Sequence, residues 1–156
     1  MTLLSIDDIA TRVAAHDAVT YDIRPTTRQA AVAAILRGGQ LGTEILFIKR
    51  ASKDGDPWSG DMAFPGGHRE DDDRDLRHTA ERETLEEIGL DLPATARFIG
   101  ALDQIRANPR IEMVVSPFLF VMTMTAIIED AAAQLSEEHR QLWERGSLSV
   151  LLYADD

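Results

Sequence analysis

The sequence predicts an α+β (α/β) fold in which a mixed β-sheet is sandwiched between helices. Three observations predict it. Strand-length apolar runs come first, one central segment of helical composition follows, and further strand runs lead to a late helical stretch. At 156 residues the chain fits a single domain, taken as residues 1–156, and is too short for two ordinary ones. Its 44% apolar and 28% charged residues match an ordinary globular protein, and no internal repeat or low-complexity linker interrupts it.

Ser5 is placed to cap a helix running to His16, because Ile6, Ile9 and Val13 recur at helical spacing and Asp7 and Asp8 suit its first turn. Beyond Pro25, the runs Ala30 to Leu36 and Glu44 to Ile48 read as a hairpin around a glycine-rich loop. Residues 51–60 read as a polar loop before a short strand, Met62 to Phe64, that stops at Pro65. Gly66 and Gly67 are then expected to turn the backbone. Asp75 to Ile88 has helical composition and ends before Gly89, a good helix terminator. Strands are expected at Ala96 to Leu102 and Ile111 to Val121, and a last helix at about Asp130 to Arg145.

Composition removes several classes of function. With no cysteine, the chain has no disulfide framework, thiolate zinc site or cysteine nucleophile. A net charge of -11, from 27 acidic against 16 basic residues, disfavours nucleic acid and anionic membrane surfaces as partners. The first residues lack the basic start and long apolar run of a signal peptide, so a cytoplasmic location is expected.

The chemistry is concentrated in Arg82-Glu83-Thr84-Leu85-Glu86-Glu87-Ile88-Gly89-Leu90. Glu83, Glu86 and Glu87 stand at i, i+3 and i+4, so their carboxylates share one helix face, while Thr84, Leu85 and Ile88 are expected on the opposite, packing face. Like charges at this spacing destabilise a helix and call for a cation. Magnesium, a hard ion that takes carboxylate oxygen and keeps waters for substrate phosphates, is the natural choice, with manganese the alternative. A solvated acidic face is the bland reading of any three such glutamates. Against it, the letters Arg-Glu-x-x-Glu-Glu-x-Gly arise by chance on the order of once in ten thousand chains of this length. A Phe64-Pro65-Gly66-Gly67 segment also precedes them at a short interval.

This segment resembles the Nudix box: a glycine, five residues, an acid, a spacer, then Arg-Glu-x-x-Glu-Glu-x-Gly and an apolar residue. Gly67 fits the leading glycine, Asp73 the first acid and Leu90 the closing apolar position. Two features depart from the general pattern: Asp73 replaces a glutamate, and eight residues, Arg74 to Glu81, replace a spacer of seven. Both are shared by the coenzyme A pyrophosphatase branch, which the chain resembles from Leu46 to Phe120, including Ala63 to Gly67 and Thr79-Ala80.

The resemblance implies the Nudix fold and hydrolysis of the pyrophosphate bond of a nucleoside diphosphate linked to another group. It implies that Glu83, Glu86 and Glu87 hold metal ions, with the Gly66 carbonyl as a further ligand. Arg82 would pair with Asp73 or Glu83, and Glu83 is the first choice of general base. Glu129, Glu137 and Glu138 are outside candidates for that role. A binding module on the same fold is the rival reading, but a pure binder needs no anionic helix face.

For substrate contacts the candidates are Arg50, Trp58, Asp61, Phe64, Gly67 and Arg106. Arg50, at the end of a strand, and Arg106, in the loop after Asp103, are placed to reach phosphates, against the commoner reading of each as a surface arginine, and Trp58 reads equally as a stacking platform for a base or as a lock that holds its loop on the core. His68 and His78 flank the box and read as salt-bridging surface groups. Residues 54–61 keep only Gly60 of the coenzyme A branch's local pattern, which favours a sugar nucleotide or ADP-ribose over coenzyme A. The apolar run Leu148 to Tyr153 needs cover: either a second copy supplies it, as a homodimer, or the chain is shortened at its C-terminus.

Overall fold

A computed structural model of the protein describes residues 4–39, 42–49, 61–108, 111–123 and 151–153. Helix α1 (Ile6–Ala14) starts as its sequence dictates, because Ser5 Oγ accepts from the Asp8 N–H at 3.1 Å and Asp8 Oδ2 accepts from the Ser5 N–H at 3.2 Å. Strand β1 (Arg28–Gly39) forms the expected antiparallel hairpin with β2 (Gly42–Ile45).

The second expected strand divides in two. Leu46 still donates its N–H to the Ile35 carbonyl at 2.9 Å, but β3 (Phe47–Lys49) joins a different sheet, antiparallel to β4 (Met62–Ala63).

The expected turn at Gly66-Gly67 is instead a short strand, β5 (Gly66–His68), antiparallel to β1. Pairing with β1 begins one residue earlier, where the Pro65 carbonyl accepts from the Ala33 N–H at 2.8 Å. Gly66 has φ +153, and a Cβ there would strike the Ala31 carbonyl and the Val32 Cα. Gly66→Ala is therefore expected to lower stability by about 1–3 kcal/mol, read as a lower melting temperature.

Helix α2 (Leu76–Ile88) occupies the expected span, and a short helix, α3 (Leu92–Thr95), follows it. Strands β6 (Ala96–Ala101) and β8 (Ile111–Met122) also fall where the apolar runs place them. Strand β7 (Ile105–Asn108) occupies what reads as loop and pairs with β8, so Arg106 is a strand residue. Leu151–Tyr153 forms β9, parallel to β3.

Among the described residues the main sheet runs β2-β1-β8-β6, with β5 on β1 and β7 on β8, and the second runs β4-β3-β9. Strand β1 lies parallel to β8 and is buried on both faces. Ala31, Ala33 and Ile35 pack with Ala80, Leu90, Leu92 and Phe120 on the α2 side. Ala34 and Leu36 pack with Leu119 and Val121 on the other side, under Ile6, Ile9 and Val13 of α1. Fully buried alanines at 31, 33 and 80 leave little between α2 and the sheet. That close approach sets the height of the helix over β5. The helix expected near 130–145 lies outside the described residues.

Candidate active site on α2 and β5

Asp75 caps α2 by accepting the His78 N–H at 2.8 Å, and Gly89 ends it with φ 69. Between these caps, the arc that packs is centred on Ala80 and Thr84, both fully buried, with Ile88 at its edge. Thr84 tolerates burial because its hydroxyl donates to the Ala80 carbonyl at 2.7 Å. Leu85, expected on this face, is instead 49% exposed. At about 100° per residue Glu87 stands beside Thr84 and not opposite it. The glutamate edge is therefore half covered, lying along β5.

That contact explains the two glycines. The Gly66 N–H donates to Glu87 Oε2 at 2.9 Å. A Cβ on Gly67 would sit well inside van der Waals contact of the Glu83 carboxylate, so only glycine admits this close approach. Burial pushes the Glu83 carboxyl above its ordinary value, while the Arg82 guanidinium pulls against that rise.

Arg82 spends all five of its N–H donors. Nε and Nη2 grip Asp73 Oδ1 and Oδ2 at 3.0 Å each, and Nη2 also reaches the His68 carbonyl at 3.0 Å. Nη1 donates to Glu83 Oε1 at 3.0 Å and to Glu86 Oε2 at 3.1 Å. One cation thus ties the loop acid, the end of β5 and two of the three glutamates together. The expected pairing with Asp73 or Glu83 is a pairing with both.

Asp73 is the buried end of this network, with its side chain 1% exposed. It also accepts the Glu70 N–H at 3.0 Å and the Thr79 hydroxyl at 2.9 Å. His78 Nδ1 lies 3.1 Å from Asp73 Oδ1 but is not aligned for a hydrogen bond. The Arg82 fork, with these donors, holds the Asp73 carboxyl well below the usual carboxylate range. A depressed folded-state pKa stabilises the fold fully above the unfolded value, and the contribution fades as pH falls through the folded one. The protein is therefore expected to lose stability as pH drops below roughly 4. Asp73→Asn should flatten that acid limb in melts recorded across pH.

The remaining sequence candidates scatter. Phe64 stacks on Phe47, with ring centroids 4.9 Å apart, and packs on the α1-side cluster, so its ring serves the core. Arg106 lies on β7 with its guanidinium 4.7 Å from the centre of the Tyr21 ring. Asp61 is exposed just before β4, and His68 is exposed at the end of β5. Arg50, Trp58, Glu129, Glu137 and Glu138 lie outside the described residues. Sequence reasoning missed Glu70, whose Oε1 lies 3.9 Å from Arg82 Nη1.

Among the described residues, no three acidic or imidazole side chains converge to enclose an ion by themselves. The donor set still suits a hard divalent cation, because magnesium needs only one or two protein carboxylates and completes its shell with water and phosphate oxygen. Among the described residues Arg82 takes one oxygen of Glu83 and one of Glu86, leaving the second on each for a ligand.

A family model described as the NUDIX domain matches residues 27–145, well over half of the chain. The chain belongs to the Nudix family. Mouse (Mus musculus) mitochondrial coenzyme A diphosphatase NUDT8 is 45% identical to it over 49 residues, which are 31% of this chain and 23% of that protein. Nudix hydrolase 15, mitochondrial, of Arabidopsis thaliana is 41% identical over 64 residues, 41% of this chain and 22% of that protein. The chain thus spans less than a quarter of either relative. The NUDIX domain of Shewanella oneidensis NrtR, solved with ADP ribose, superposes with a TM-score of 0.50 at 17% identity, covering 67% of this chain and 68% of that one. At that identity the likeness shows the shared Nudix fold alone.

Proposed function

We propose that this Nudix chain is a magnesium-dependent pyrophosphohydrolase that cleaves a nucleoside diphosphate linked to a second group, of the sugar-nucleotide or ADP-ribose type. The products are a nucleoside monophosphate and a phosphorylated remainder. The observation that carries the reading is the Arg82 network, which presents Glu83 and Glu86 along β5 while Gly66 holds Glu87. When bound at these carboxylates, divalent ions neutralise the diphosphate, polarise a phosphoryl oxygen and acidify the attacking water.

The chain's own residues supply the rest. Arg82 fixes the carboxylates in advance, so little reorganisation accompanies ligand binding. Glu83, half enclosed between α2 and Gly67, is placed to accept a proton from water. Coenzyme A is the second reading of the substrate, favoured by the segment shared with NUDT8.

Release of AMP from ADP-ribose, with and without magnesium, tests the proposal alongside Glu86→Gln. We expect activity only with the metal and a fall of about 10–100-fold in the variant. Turnover that survives both changes would end the metal-hydrolase reading. Coenzyme A in the same assay separates the two substrate classes.

A further inference from the structure

We propose that His78 is a positioning residue for the hydrolysis, donating Nδ1–H to Asp73 Oδ1 and so fixing the carboxylate that Arg82 grips. This rests on the hydrolase reading and extends it to a residue off the acidic edge of α2.

Among the described residues the two oxygens of Asp73 are unequally served. Oδ2 accepts three hydrogen bonds, from the Glu70 N–H at 3.0 Å, the Thr79 hydroxyl at 2.9 Å and Arg82 Nη2 at 3.0 Å. Oδ1 accepts one, from Arg82 Nε at 3.0 Å. A carboxylate oxygen has room for a second donor, and the Asp73 side chain, 1% exposed, is shut off from bulk solvent. His78 Nδ1 stands 3.1 Å from that under-used oxygen and is itself buried without a hydrogen-bond partner. A buried acceptor with a vacancy thus faces a buried nitrogen with no partner.

The position of one proton decides the sign of this contact. A neutral imidazole carries its proton on either nitrogen. On Nε2, it would leave the Nδ1 lone pair against a carboxylate, two acceptors with no hydrogen between them. On Nδ1, it makes the same approach a charge-assisted hydrogen bond once the ring turns into line. Only the second arrangement satisfies both buried atoms.

His78 and Arg82 stand one turn apart on α2, at i and i+4, and converge on the same oxygen. The backbone of His78 is held in turn by Asp75, which accepts its N–H at 2.8 Å. Two donors from one helix therefore fix where Oδ1 lies, and the Arg82 fork takes its direction from that point. Nη1 of the same guanidinium carries Glu83 and Glu86. His78 thus acts on the glutamates through Asp73 and Arg82.

Nitrogen-15 NMR of the full chain, labelled at histidine, tests the donor. Spectra at about pH 8.5, above the usual range of imidazole titration, report which ring nitrogen holds the proton, and H78N identifies the His78 signals by their loss. We expect the proton on Nδ1. Manganese titration of the parent chain, H78L and H78N, followed by the EPR signal of the free ion, tests the positioning. Leucine fills the place of the ring without a donor, so H78L should bind the ion about tenfold more weakly. Asparagine offers an amide N–H close to the Nδ1 position, so H78N should return to within about threefold of the parent. A purely structural role would lower the melting temperature of H78L and leave the affinity of the folded protein unchanged. That result, a proton on Nε2 in the parent, or an H78N no better than H78L would overturn the proposal. The parent spectrum decides the donor even if a variant fails to fold. Manganese affinities in the expected order, with no hydrolysis of ADP-ribose or coenzyme A by the parent, would instead count against the hydrolase reading alone.

Discussion

Replacing Arg82 with alanine is expected to lower folding stability by about 3–5 kcal/mol, because it leaves the enclosed Asp73 carboxylate without its counter-ion. Hydrolysis should fall with it, since Glu83 and Glu86 lose the donor that positions them. Arg82→Lys separates charge from shape. Lysine restores the positive charge but offers three donors from a single point, where the native network uses five from a planar fork. The lysine variant should therefore recover less than half of the lost stability in urea unfolding. Full recovery would mean that net charge alone holds the site, contrary to the five hydrogen bonds observed.

Glu83→Gln should behave in the opposite way. The amide fills the same space beside Gly67 and needs no counter-ion in a half-buried setting, so stability should shift by less than about 1 kcal/mol. Activity should drop by a factor on the order of 10²–10⁴, the range for removal of a general base. Steady-state rates with ADP-ribose at saturating magnesium, set beside thermal melts of the same samples, provide the comparison. A variant within tenfold of the parent rate would move the general base to another residue.

Much of this arrangement is legible in the sequence. Helix α2 announces itself through Asp75 and Gly89, and the fixed spacing of Glu83, Glu86 and Glu87 places them on one edge whatever the helix packs against. The packing face is harder to read, because Ala80 and Thr84 fill its centre and carry little hydrophobic signal, whereas apolar Leu85 faces solvent.

Strand β5 is hidden for a related reason. Two glycines have poor strand propensity, and only the pairing with β1 makes them extended. Strand β7, Ile-Arg-Ala-Asn, likewise owes its form to β8. Phe64, a candidate for substrate contact, stacks its ring on Phe47 of β3, a pairing that no local sequence pattern reveals. The fifth bond of Arg82, to the His68 carbonyl, depends on a main-chain acceptor that no residue type reveals.

Strand pleating alternates side from one residue to the next, so a single-residue slip of Gly66–His68 against β1 would exchange what lies above for what lies below. Glu83 would then meet the side chain of a neighbour where it now meets bare backbone. Inserting one residue between Pro65 and His68 would break that fit. A phasing error of some 3 Å there would dismantle the acid ridge while leaving every member of it in the chain.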